Sequence, residues 1–229
     1  MTNFSIIIPV YNEAKNIINL LIEIKNHLND FQYEIVIVDD HSKDNTIEVI
    51  NEYDDKIVKL IKHDVNLGQS QSILSGIKES KYNIIVTLDG DGQNNPKDIS
   101  KLLDTYLRQK DIYLVGGIRR KRKDTIIKIL SSKIANKIRS KILNDDCDDT
   151  GCSLKVFDKK AFLKLPFFDG IHRFLPALFK GFGYKTYFVY VDHRSRFSGK
   201  SNYGTFDRLF KGIKDLIRVK RIIRDAKFN

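Results

Sequence analysis

The run Tyr82-Asn83-Ile84-Ile85-Val86-Thr87-Leu88-Asp89-Gly90-Asp91-Gly92-Gln93 decides how this chain folds. Its first half is β-branched and apolar enough for a buried strand, and it breaks off in two aspartates separated by glycine. Alternate side chains of an extended segment project to the same side, so Asp89 and Asp91 can converge on one target. In an open α/β sheet, ligands bind beyond the carboxyl ends of the strands, which is where this turn falls. Carboxylates held together repel unless a cation lies between them. Hard oxygen ligands suit Mg²⁺ or Mn²⁺, and such a cation suits a diphosphate. Asp-Gly pairs are also ordinary turn formers after strands, and the local sequence alone leaves both readings open.

Working outward, Phe4 to Pro9 reads as a buried strand, and Ala14 to Leu28 as a helix with Ile17, Leu20, Leu21 and Ile24 on one face. A strand from Glu34 to Val38 ends at Asp39-Asp40, and Asp44-Asn45-Thr46 opens the next helix with short polar residues. Ile57 to Ile61 follows as a strand and Gln69 to Lys78 as a helix. Such alternation implies parallel strands joined by helical crossovers, with their ends aligned along one edge. Downstream lie a helix from Pro96 to Arg108, a strand from Ile112 to Gly116, an amphipathic segment from Ile126 to Leu143 and a strand from Ser153 to Phe157. The segment Phe168 to Phe174 opens another helix, and Lys185 to Val191 is the last strand. No G-x-G-x-x-G turn follows the first strand, so the dinucleotide fingerprint is absent and acidic groups stand in its place.

A chain of 229 residues suits one large α/β domain with a helical tail, here divided as a catalytic domain over 1–204 and a basic amphipathic helix over 205–229. A hydrophobic content of 41% with 30% charged residues places it among globular proteins. No stretch approaches the roughly 18–20 apolar residues of a membrane span, so no transmembrane helix is expected. The first residues carry no basic region followed by an apolar core, which argues against a signal peptide and makes the cytoplasm the default compartment. Cys147 and Cys152, the only cysteines, are too few for a disulfide framework or a thiolate zinc site.

The formal charge of +11 points to a polyanionic partner: nucleic acid, a phosphate-bearing substrate or an anionic membrane. Basic residues concentrate at Arg119-Arg120-Lys121-Arg122-Lys123 and from Arg194 to Lys227. No aromatic-rich RNA-binding segment or helix-turn-helix with convergent arginines accompanies them, so an RNA-binding protein is a remote alternative and no nucleic-acid partner is expected. Gly199-Lys200-Ser201 mimics the end of a phosphate-binding P-loop, but Arg194 stands where the first glycine belongs. From Phe206 to Ile223, the residues Leu209, Phe210, Ile213, Leu216, Ile217, Ile222 and Ile223 share a helical face, with Arg208, Lys211, Lys214, Arg218, Lys220, Arg221 and Arg224 around them. This pattern suits a membrane-surface helix; its alternative is a helix packed on the catalytic core.

The ordered motifs Ile8-Pro9-Val10-Tyr11-Asn12-Glu13, Val38-Asp39-Asp40-His41-Ser42, Asn66-Leu67-Gly68, Leu88-Asp89-Gly90-Asp91-Gly92-Gln93 and Arg196-Phe197-Ser198-Gly199-Lys200-Ser201 span most of the chain. With these motifs the sequence resembles the family 2 glycosyltransferases of the GT-A fold, and more narrowly the dolichyl-phosphate mannose synthases and polyprenyl-phosphate sugar transferases. The resemblance implies a Rossmann-like mixed sheet flanked by helices. It implies that Pro9, Tyr11, Glu13, Asp39 and Gly68 hold a nucleotide-sugar donor, and that Asp89, Asp91 and Gln93 hold Mg²⁺ or Mn²⁺ and the diphosphate. Arg196, Lys200 and Ser201 match the basic loop of the family that closes over donor phosphates. Arg119, Lys128 and Ser132 match its acceptor-phosphate group, with lysine at 128 where relatives place an arginine; lysine lacks the bidentate fork.

The reaction so implied is an inverting transfer of a sugar, from GDP-mannose or a UDP-hexose, to a polyprenyl or dolichyl phosphate at a membrane surface. A phosphate monoester is already ionised at neutral pH, so cations that hold two anions matter more than a strong base. Asp89, Asp91, Arg119 and Arg196 then carry the catalytic work. Transfer to a saccharide or lipopolysaccharide hydroxyl is the alternative; it needs a carboxylate base, for which Asp148, Asp149 and Asp169 are candidates. The expected setting is the cytoplasmic face of a membrane, with peripheral attachment to anionic lipid and a separate small membrane protein as one source of an anchor.

Overall fold

The computed structural model describes residues 2–120, 136–195 and 205–226, with side chains from 212 onward in the last of these. Its strands are β1 (Asn3–Val10), β2 (Gln32–Asp39), β3 (Val58–Lys62), β4 (Ile84–Thr87), β5 (Ile112–Arg119), β6 (Lys155–Asp158) and β7 (Lys185–Val191). Helices α1 (Ile17–His27), α2 (Thr46–Tyr53), α3 (Gln69–Glu79) and α4 (Asp98–Arg108) alternate with the first five strands. Then come α5, described over residues 136–143, α6 (Lys159–Leu163), a 3₁₀ turn (Ile171–Arg173), α7 (Leu175–Gly181) and α8 (Thr205–Ala226).

The strands form a single seven-stranded sheet in the order β3-β2-β1-β4-β6-β5-β7. β1 through β4 run parallel, as crossover helices require, and β7 runs parallel to β5. β6 is antiparallel to both of its neighbours, β4 and β5, so the sheet is mixed. Alternation along β1 sorts the core into two layers. Ile6, Ile8 and Val10 pack with Leu20, Leu21, Ile24, Leu102 and Leu103 on the α1/α4 face. Ile7 packs with Ile73, Ile77, Phe179 and Val219 on the α3/α7/α8 face. Burial on both faces explains why the central strands read as continuous apolar runs.

Two helices start three or more residues later than periodicity suggests. α1 begins at Ile17 because the carbonyl of Glu13 takes the N–H groups of Asn16 and Ile17 at 2.9 and 3.0 Å, making residues 14–16 a turn. Over 168–174, Gly170 adopts a φ of +104° and only the short 3₁₀ turn forms, so the helix itself starts at Leu175. α8 packs its Asp215, Val219 and Ile223 side toward α7, with Asp215 paired to Arg173 at 2.7 Å, and leaves Ile213 and Ile217 exposed on the other side. Among the described residues no helix is long and apolar enough to cross a membrane.

Candidate active site

The carboxyl ends of β1, β2 and β4 gather the acidic motifs at one edge. The β1 and β2 ends are laced together through their loops: the Asn12 N–H donates to Ser42 Oγ at 2.9 Å, the Lys43 N–H to Asn12 Oδ1 at 2.7 Å, and the Glu13 N–H to Thr46 Oγ1 at 2.9 Å. Asn12 and His41 both sit at positive φ, +57° and +66°, which is uncommon outside glycine and holds the two turns in sharp register. Asp39 is fully buried; its Oδ2 accepts the Ser42 N–H at 3.0 Å, while Oδ1 takes no hydrogen bond from any described residue. A buried carboxylate oxygen without a donor suits a ligand N–H or hydroxyl.

Asp40, beside it, is the hub of this edge. Its Oδ1 accepts from His63 Nδ1 at 2.9 Å and from the Leu67 N–H at 2.8 Å, and its Oδ2 from the Gly68 N–H at 2.8 Å. The carboxylate thus pins the Asn66-Leu67-Gly68 loop, where Gly68 adopts a φ of +86° and starts α3. Gln69, the first residue of that helix, reaches across and donates Nε2 to Asp89 Oδ1 at 2.8 Å.

Asp89 and Asp91 follow β4 in a turn held by Asn94, whose Oδ1 accepts the Asp89 N–H at 3.2 Å and the Ser153 hydroxyl at 2.6 Å. The Gln93 N–H donates to Asp91 Oδ1 at 3.0 Å. Gly90 lies so close to β1 that a Cβ there would come within 2.7 Å of Val10 Cγ1, which explains the glycine between the aspartates. Burial, and next the charge of Asp91, push the Asp89 carboxyl up to about 6; Ser153, Lys155 and Arg119 pull the other way. Two carboxylates that strain against joint ionisation are the arrangement a divalent cation relieves, and both are hard oxygen donors. Asp89, Asp91 and Gln93 therefore fit Mg²⁺ or Mn²⁺.

Arg119 ends β5 and forks onto Asp149, with Nε on Oδ2 at 2.6 Å and Nη2 on Oδ1 at 2.7 Å. Arg194 joins this edge from beyond β7, pairing with both carboxylate oxygens of Glu23 at 2.9 and 2.7 Å and donating its N–H to the Gln93 carbonyl at 3.0 Å. Beside Asp89 opens a cavity of about 170 Å³ whose lining includes Gln69, Thr87, Ser153, Lys155 and His172. Lys155 is 4% exposed, and burial pushes the pKa of its ammonium down. The thiols of Cys147 and Cys152 are free, buried and pushed up to about 11 by that burial.

A sequence model described as Glycosyl transferase family 2 matches residues 5–165, the stretch that contains the carboxyl ends of β1, β2 and β4. The chain belongs to glycosyl transferase family 2. Among curated relatives, the dodecaprenyl-phosphate galacturonate synthase of Rhizobium johnstonii is 29% identical over 228 residues, covering 96% of this chain and 67% of its own length. The undecaprenyl-phosphate 4-deoxy-4-formamido-L-arabinose transferase of Shewanella sediminis is 32% identical over 219 residues, covering 93% and 65%. This family 2 chain thus spans about two thirds of the length of such relatives. Among solved structures, glucosyl-3-phosphoglycerate synthase from Mycobacterium tuberculosis with Mn²⁺, UDP and glucosyl-3-phosphoglycerate superposes with a TM-score of 0.72 at 16% identity, covering 95% of this chain and 78% of that one. That likeness concerns the fold, which is the expected GT-A fold.

Of the residues singled out from sequence, Pro9, Tyr11, Glu13, Asp39, Gly68, Asp89, Asp91, Gln93 and Arg119 all lie on strand ends or loops of this edge. Lys128, Ser132, Arg196, Lys200 and Ser201 lie outside the described residues. Sequence reasoning passed over Gln69, Asn94, His63 and Lys155. A lysine inside an otherwise apolar strand, Ser153 to Phe157, was the one available signal for the last of these.

Proposed function

We propose that this chain is a metal-dependent, inverting glycosyltransferase that moves a sugar from a nucleotide-sugar donor to a polyprenyl phosphate at a membrane surface. The carrying observation is the Asp89–Asp91 pair at the end of β4, where burial and then the charge of Asp91 lift Asp89 to about 6, on the same sheet edge as a buried carboxylate oxygen of Asp39 that takes no hydrogen bond from the described residues. Relatives named for transfer to dodecaprenyl and undecaprenyl phosphate support the acceptor.

In this reading Asp39 accepts from the base or ribose of the donor, and Tyr11, Pro9 and Glu13 wall that subsite. The Asp40-held loop, with Gly68 and Gln69, closes it and orients Asp89. Asp89, Asp91 and Gln93 would hold Mg²⁺ or Mn²⁺; bound there, the cation neutralises charge on the leaving diphosphate. Arg119, fixed in orientation by Asp149, meets the acceptor phosphate, and by the resemblance Lys128 and Ser132 join it while Arg196, Lys200 and Ser201 attend the donor phosphates. The phosphate oxygen displaces the diphosphate from the far side of the anomeric carbon, inverting it. Asp149, a candidate base for a hydroxyl acceptor, is paired with Arg119, which favours the phosphate acceptor. The exposed Ile213 and Ile217 of α8, among Lys214, Arg218, Lys220 and Arg221, would rest on anionic lipid at the cytoplasmic face, with or without a small membrane-protein anchor.

Purified protein incubated with Mn²⁺ or Mg²⁺, undecaprenyl phosphate and a panel of UDP- and GDP-sugars tests this. The expected result is a glycolipid by mass spectrometry with stoichiometric release of nucleoside diphosphate. Turnover only with saccharide acceptors would overturn the acceptor assignment.

A further inference from the structure

Lys155 is a buried cation with too few partners. Among the described residues its ammonium donates to a single acceptor, the Cys152 carbonyl, although it carries three N–H groups. It pairs in register with Thr87, and Thr87 and Asp89 alternate on one face, so Lys155 sits on the sheet next to Asp89 and lines the same 170 Å³ cavity. The carboxylates that attract it include Asp89 and Asp149. Asp149 is gripped by Arg119, and Asp89 is the carboxylate assigned to a divalent cation, whose two charges cancel those of Asp89 and Asp91. Lys155 is then left without a counter-charge, and burying an unpaired ammonium is costly. A partner anion has to arrive with the substrate.

The cavity restricts which part of the substrate that is. At about 170 Å³ it is on the scale of one sugar ring rather than of a lipid headgroup with its chain. Ile73 and Leu175 give it apolar walls, and Gln69, Thr87, Ser153 and His172 line it with hydrogen-bonding groups, the mix that suits a pyranose. It adjoins Asp89, so it receives whatever is attached to the diphosphate. We propose that this cavity is the subsite of the transferred sugar and that Lys155 selects a sugar bearing a carboxylate, a hexuronic acid, over a neutral hexose. The inference rests on the reading of the chain as a nucleotide-sugar transferase and names its donor class.

The test compares matched donors, UDP-glucuronate with UDP-glucose and GDP-mannuronate with GDP-mannose, in Mn²⁺ with undecaprenyl phosphate, for wild type, Lys155→Met and Lys155→Arg. Wild type should prefer the acidic sugar by about 10- to 100-fold in kcat/KM, as expected for a charged hydrogen bond. Lys155→Met should lose that preference, its kcat/KM falling about 10- to 100-fold further with the acidic donor than with the neutral one, and Lys155→Arg should keep it. Equal losses with acidic and neutral donors would reduce Lys155 to a counter-charge for Asp89 and overturn the proposal, as would a wild type that favours the neutral sugar. The wild-type comparison decides by itself should Lys155→Met fail to fold. Absence of turnover with every donor counts against the transferase reading instead. Calorimetric binding of the same nucleotides in Mn²⁺ then decides the subsite: tighter binding of the acidic member supports it, and equal or absent binding overturns it.

Discussion

Arg119 holds both carboxylate oxygens of Asp149, at 2.6 and 2.7 Å, and its own backbone N–H donates to the same carboxylate at 3.2 Å. From sequence these residues belong to competing accounts, one as an acceptor-phosphate ligand and the other as a base. Together they form an oriented cation, with side chains only 13% and 7% exposed. Breaking a buried pair by removing one partner costs about 3–5 kcal/mol, because the other charge is stranded. Asp149→Ala should therefore lower unfolding free energy by that order in urea titrations. Asp149→Asn should raise the acceptor KM more than it lowers kcat. A collapse of kcat at constant KM, with loss of the acidic limb of the pH–rate profile, would mark Asp149 as a base.

The raised pKa of Asp89 has a definite sign for stability. Its folded-state value, about 6, lies above the ordinary 3.8, so the folded protein binds this proton more tightly than the unfolded chain. In metal-free protein, ionisation of Asp89 thus costs on the order of 3 kcal/mol above pH 6, and the cost fades as pH falls from 6 toward 4. Asp89→Asn, assayed with a chelator, should be the more stable protein at pH 7.5, with the gap narrowing below pH 6 and closing near pH 4. Added Mn²⁺ should stabilise wild type and leave the variant unchanged. A gap independent of pH would mean that burial and Asp91 do not raise the Asp89 carboxyl.

The periodic and alternating patterns made the sheet, its first four helices and the acidic edge legible, because both are dictated within a few residues of chain. Asp89-Gly90-Asp91 could be read as a site since the glycine and the break after Thr87 are local facts. The antiparallel β6 was not legible: Lys155–Asp158 looks like any short buried strand, and its direction is set by β4 partners about seventy residues away. Nor was the Arg119–Asp149 fork, whose members lie thirty residues apart on either side of α5. Gly170 hid the late start of α7, since a 3₁₀ turn and an α-helix share the same first hydrophobic spacing.

Asp40 offers a sharper separation of folding from binding. Its carboxylate takes the Leu67 and Gly68 N–H groups and His63, and His63 Nε2 lies 3.0 Å from Ser75 Oγ, tying the donor-side loop to α3. Asp40→Asn keeps the shape but removes the charge that strengthens these bonds. The expected outcome is a rise in donor KM of about tenfold or more with a smaller change in kcat, since Gln69 and Asp89 are displaced together with the loop. Unchanged donor KM would show that the Asn66–Gly68 loop is not part of the donor subsite.

The two faces of α8 give the last prediction. A Cβ on Gly181 would come within 2.5 Å of Ile223 Cγ1 and 2.8 Å of its Cγ2, so α7 and α8 touch at a point with no spare volume. Gly181→Ala should destabilise the fold by about 1–3 kcal/mol through overpacking. The opposite face carries Ile213 and Ile217, 49% and 57% exposed, among exposed lysines and arginines. Ile213→Glu with Ile217→Glu should leave stability within about 0.5 kcal/mol, as surface substitutions do, yet abolish co-sedimentation with vesicles rich in anionic lipid. Near such lipid each cation contributes about 1 kcal/mol, so raised salt should release wild type progressively. If instead the double variant unfolds early and still binds vesicles, α8 serves the core alone and the lipid acceptor must be met by another surface.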